Sequence, residues 1–95
     1  MTQRQADINR ALLSAQRDMG TATLDEMALS PKFELLKPSR EELATAYRDC
    51  LTYAYIDHPI PGDSEFSRIT DKGLRQINRD GVALDAAVWG RHAAR

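Results

Sequence analysis

The chain has 95 residues, 42% apolar and 28% charged, with 13 Lys and Arg against 14 Asp and Glu for a formal net charge of −1. That length holds one hydrophobic core, so a single domain over residues 1–95 is expected. The balanced charge argues against a non-specific coat for nucleic acid, whose affinity comes mostly from phosphate neutralisation.

The single cysteine, Cys50, excludes an intrachain disulfide and a thiolate-only metal site. "MTQRQADINR" has no apolar core behind its charges, so it does not read as a signal peptide. No run approaches the roughly eighteen apolar residues of a membrane span, and a cytoplasmic protein without membrane contact is the expectation.

A first helix is predicted over residues 4–18. Ile8, Leu12, Ala15 and Met19 recur at helical spacing with Ala11 beside them, and Gly20 marks the stop. Thr23 and Glu26 have the spacing of a capping box opening a short helix, which would bury Leu24, Met27 and Ala28. In "LSPKFELLKP", Ser30-Pro31 suits an N-cap and first turn, and Phe33, Leu35 and Leu36 call for burial. Pro38 ends that piece by disfavouring a helical Lys37.

Ser39 and Glu42 form a second capping box. Leu43, Tyr47, Cys50, Leu51 and Ala54 follow on one apolar stripe, predicting a helix to about Tyr55. "IDHPIPGDSEF" is turn composition. It suggests a hairpin with Ile56 to Ile60 going out, a tip near Asp63 and Phe66 to Thr70 returning. Thr70 can end that strand and cap the next helix, whose buried side would hold Leu74, Ile77, Leu84 and Val88. Asp80-Gly81 is a candidate break, and Trp89 is expected to close over the core. The fold class is therefore mainly α with a small β-hairpin.

The order helix, short helix, capped helix, hairpin, helix resembles the winged helix-turn-helix family of small transcriptional regulators. "ATLDEMA" (22–28) resembles the start of that family's second helix, and "SREELATAYRDCLTYAYI" (39–56) its recognition helix. "RITDKG" (68–73) resembles the end of the wing strand running into the last helix. The resemblance implies a winged-helix-like three-helix core with a wing and a C-terminal helix, binding double-stranded DNA with the capped helix in the major groove. It also implies transcription regulation by site occupancy, without catalysis or cofactor, and a dimer formed through the C-terminal helix.

On that reading Ser39, Arg40, Thr45 and Arg48 contact DNA, while Arg68 and Lys72 hold phosphates from the base of the wing. The face of residues 39–55 away from the apolar stripe carries Glu41, Thr45, Arg48, Asp49 and Thr52, so an ordinary solvated face stands as the alternative. Lys72, Arg75 and Arg79 share one helix face, either a phosphate-binding stripe or a solvated surface. Lys32, Lys37, Arg40 and Arg48 form a thinner second patch.

A rival function is a non-catalytic protein-interaction module or inhibitor, of the kind phages encode against host machinery. Asp57, Asp63 and Glu65 would then meet a basic surface on a protein partner, with Tyr53 or Tyr55 as anchors.

Catalytic chemistry is not legible. Ser39 and Ser64 lack a nucleophile signature, adjacent Glu41 and Glu42 point in different directions, and Cys50 sits on the apolar side. His58 and His92 have no thiolate partner, and no metal is expected. The C-terminal residues Val82, Val88 and Trp89, with alanines 83, 86, 87, 93 and 94, suit packing on the core or on a second copy.

Overall fold

The computed structural model describes residues 1–78. The elements are α1 (Gln3–Met19), β1 (Ala22–Thr23), α2 (Leu24–Ala28), a 3-10 turn (Pro31–Phe33), α3 (Arg40–Thr52), β2 (Ile56–Asp57), β3 (Phe66–Ile69) and α4 (Asp71–Asn78). The molecule is mainly helical with a small three-stranded antiparallel sheet of order β1-β3-β2. The expected order of helices and hairpin is present, and β1 is an addition. Ala22 pairs with Ser67 and Thr23 with Phe66, a two-residue strand too short for any sequence period to reveal.

Local chemistry sets the starts of the helices. Thr23 Oγ1 accepts from the Glu26 amide and Glu26 Oε1 accepts from the Thr23 amide, each at 3.1 Å. Ser39 and Glu42 repeat the arrangement at 3.1 and 2.9 Å. Both capping boxes therefore satisfy amides that a helix start leaves orphaned. Gly20 closes α1 at φ 74°, its N–H donating to the Gln16 carbonyl.

At the other end of α3, the Tyr55 N–H donates to Cys50 O and the Ala54 N–H to Leu51 O. This is a Schellman cap with alanine, at φ 60°, where glycine is usual. The helix therefore stops at Thr52, earlier than expected, and Ala54 is exposed instead of extending the apolar stripe.

The core lies between α1 and everything else. Ala6, Ile8, Leu12, Leu13 and Ala15 of α1 are buried with Met27, Phe33, Ala46, Cys50, Tyr55 and Ile56. Leu43, Tyr47 and Leu51 are half-buried against them, while Ala46 is the buried α3 residue that the expected stripe left out. Besides Ala54, two expected core residues lie at the surface: Leu35 is 97% exposed and Met19 43%. The 3-10 turn bends the chain so that Phe33 enters the core and Leu36 packs on it, which leaves Leu35 pointing away. Lys37 then takes a left-handed φ of 43° before Pro38.

Two buried polar side chains join α1 to the sheet. Gln16 Nε2 donates to Gly20 O at 2.6 Å and to Ser67 O at 2.8 Å, and Ser67 Oγ donates back to Gln16 Oε1 at 2.6 Å. Both side chains are fully buried, and every group of the carboxamide that needs a partner has one.

The hairpin and α4 meet without a loop because Thr70 serves both. Its N–H donates to Tyr55 O and its hydroxyl to Ala54 O, while Oγ1 accepts from the Gly73 amide at 3.1 Å to cap α4. Gly73 is buried there: a Cβ would overlap the Tyr55 carbonyl oxygen and lie 2.7 Å from Ile69 Cγ1. Leu74 and Ile77 of the expected α4 stripe are half-buried. Arg79, Asp80-Gly81, Leu84, Trp89, His92 and the rest of the C-terminal stretch lie outside the described residues. No helix among the described residues is long and apolar enough to cross a membrane.

Two substitutions separate these constraints. Gly73→Ala should destabilise the fold by roughly 1–3 kcal/mol or more, because the clash is with a hydrogen-bonded backbone carbonyl. Ala54→Gly should raise stability by about 1 kcal/mol by relieving the left-handed alanine. Urea unfolding midpoints of the two variants against the parent read both effects.

Candidate nucleic-acid interface

Helix α3 presents Arg40, Glu41, Ala44, Arg48 and Thr52 to solvent. At 100° per residue these positions fall within an arc of about 120°. Ser39 sits at the N-terminus of this face, with its hydroxyl accepting from the Glu42 amide, and Thr45 is half-buried at the edge. Arg40 and Arg48 make no ion pair among the described residues.

Two of the three acids of α3 do not share that exposure. Asp49, assigned from sequence to the outer face, is half-buried and its Oδ2 accepts from Asn9 Nδ2 of α1 at 3.2 Å. Glu42 is gripped by Arg4, with Nε to Oε2 at 2.7 Å and Nη2 to Oε1 at 3.1 Å. Arg4 Nη2 also donates to Leu36 O, and Gln5 Nε2 donates to both Asn9 Oδ1 and Glu42 O. Glu41 is left as the exposed acid of α3, against two exposed arginines.

This inward turn is carried by α1. Gln5, Asn9 and Gln16 fall within about 40° of one another on its helical wheel, at 100° per residue, in the arc of buried Leu12. Polar side chains centred in an apolar arc were the signal available in the sequence, since a buried amide must find partners on a neighbouring element.

Arg68 and Lys72 belong to other elements. Arg68, on β3, donates from Nε to Asp57 Oδ1 of β2 at 2.9 Å. Lys72, in the first turn of α4, places Nζ 5.2 Å from the centroid of the Tyr55 ring. Tyr55 follows the C-terminal end of α3, whereas Ser39 and Arg40 stand at its N-terminal end, about 20 Å away for 13 residues. Arg75 is exposed on α4, and Lys32 lies 3.7 Å from Asp18.

The hairpin tip is acidic. Glu65 is exposed, and half-buried Asp63 accepts from the Glu65 amide at 2.7 Å to shape the turn. His58 Nδ1 lies 2.9 Å from Phe66 O, across the loop. Of the proposed protein-binding anchors, Tyr53 is half-buried and Tyr55 is fully buried in the core. Tyr55 is therefore no surface anchor: its carbonyl fixes Thr70 and its ring lies beneath Lys72.

The Cys50 thiol is completely buried, and desolvation pushes its pKa up, which suits packing rather than nucleophilic chemistry. Glu42 shifts the other way. Hydrogen bonds from the Arg4 side chain first, and then from the Ser39 backbone, hold its carboxyl down to about 2. No family model, curated protein or solved structure matches this chain.

Because Glu42 is depressed in the folded state, its contribution to stability is fully present above an ordinary carboxylate value near 4.5 and is lost as the pH falls towards about 2. In Glu42→Gln, which keeps a capping-box residue, this acid limb should flatten. Urea midpoints measured across that window would show a steeper decline in the parent than in the variant.

Proposed function

We propose that this chain is a small DNA-binding regulator of the winged-helix type, reading double-stranded DNA with the outer face of α3 and acting by occupancy of its site. The observation that carries the reading is the sorting of charge on α3. Asp49 and Glu42 are tied to α1, while Arg40 and Arg48 remain exposed without a counterion among the described residues. A face with exposed Arg and Thr and one exposed acid suits phosphate and base-edge contact in a major groove. The order of elements and the β1-β3-β2 sheet further support the resemblance noted in the sequence. Arg68 and Lys72 would add phosphate contacts near the other end of the helix. The dimer suggested by the C-terminal residues rests on positions outside the described ones.

A second reading, a protein-interaction module, is favoured by Leu29 and Leu35, which are 86% and 97% exposed beside an otherwise filled core. On that reading exposed Glu65 and half-buried Asp63 and Tyr53 would also serve the partner.

Binding to mixed double-stranded fragments, followed by fluorescence anisotropy at low and near-physiological salt, separates the two. DNA binding should weaken steeply with salt. Replacing Arg40 and Arg48 together by Ala should lower the log–log salt slope by roughly 2 if both meet phosphates. Absence of binding by the parent at low salt would sink the DNA reading.

A further inference from the structure

Arg68 is the cation of the hairpin, and it is already occupied. Asp57 stands directly opposite it in the β2–β3 register, and the Nε to Oδ1 distance is 2.9 Å. The two side chains are 56% and 47% exposed, so the pair lies at the surface. Alternation along β3 explains the direction: neighbouring Ser67 is buried and Ile69 half-buried, while Arg68 points outward. From Asp57 to Phe66 the hairpin adds Asp63 and Glu65 and no Lys or Arg.

We infer that Asp57 is a resident competitor for the phosphate that Arg68 would hold, and so sets how much the hairpin contributes to DNA binding. This rests on the DNA reading above. A carboxylate and a phosphate oxygen seek the same guanidinium donors, and both are anions. With Asp57 in place, the paired strands offer a backbone phosphate no net positive charge. Arg68 engages DNA by exchanging one anion for another, with Asp57 left beside the incoming phosphate.

The exchange is feasible because an exposed ion pair is held weakly. The hairpin does not depend on it: Ile56 pairs with Ile69, and Thr70 is bonded to Ala54 and Tyr55. Removing the Asp57 charge should therefore free Arg68 without unfolding the strands.

The test is a double-mutant cycle on the full chain. Parent, Asp57→Asn, Arg68→Ala and the double variant are titrated against one mixed-sequence duplex by fluorescence anisotropy at low and near-physiological salt. Asp57→Ser serves as a second neutral variant, and thermal melts confirm that each protein is folded. At near-physiological salt, Asp57→Asn is expected to bind up to about 5-fold tighter than the parent, the range open to an exposed charge pair. In the Arg68→Ala background the same change should have almost no effect. Unchanged or weaker binding by both neutral variants would overturn the inference, the latter making Asp57 a positioning residue for Arg68. An equal gain in both backgrounds would overturn it too, reducing Asp57 to one more repelling charge. If the parent binds and only these comparisons fail, the DNA reading survives. If none of the proteins binds at low salt, both fall together.

Discussion

The exchange of hydrogen bonds between Gln16 and Ser67 is the constraint on which the other parts rest. One carboxamide fixes the end of α1 through Gly20 O and seats the central strand through Ser67 O and Oγ. The central strand in turn pairs with β1 on one side and β2 on the other. A buried amide with unmet bonding would cost more than the bonds contribute when made, so the geometry is closely specified. Helix α1 thereby acts as the frame against which α3, the sheet and α4 take their positions.

The same helix decides what α3 shows to solvent. Arg4, Gln5 and Asn9 occupy the side of α1 that meets α3, and they draw Glu42 and Asp49 towards themselves. A helix whose composition is slightly acidic thus acquires an outer face with two arginines that have no counterion among the described residues. Stability and proposed function are coupled here, since the bonds that dock α3 also remove carboxylates from the surface proposed to meet phosphates.

Much of the fold was legible because its signals are local. Thr23 with Glu26, Ser39 with Glu42, and Thr70 with Gly73 are contacts over three residues, and each opens a helix at the expected place. The strand-to-helix join without a loop followed from Thr70 alone. The misplacements have local causes as well. A left-handed Ala54 ended α3 early, and the 3-10 turn after Ser30 rotated Leu35 outward while burying Phe33. Leucine at that position satisfied a hydrophobic pattern, but the turn set its direction.

The class of the fold, the helix starts, the hairpin and the membership of Arg40, Thr45 and Arg48 on one helix could be read from the chain directly, because caps and helical periodicity act within a few residues. Which charges lack a partner among the described residues was set instead by contacts between distant segments. Arg4 reaches Glu42 across 38 residues, Asn9 reaches Asp49 across 40, and Gln16 reaches Ser67 across 51. The pairing of Arg68 with Asp57 and the burial of Tyr55 likewise depend on how the hairpin folds back beside α3 and α4. Such contacts have no period in the sequence, since they arise only when separate elements are brought together by the burial of their apolar faces.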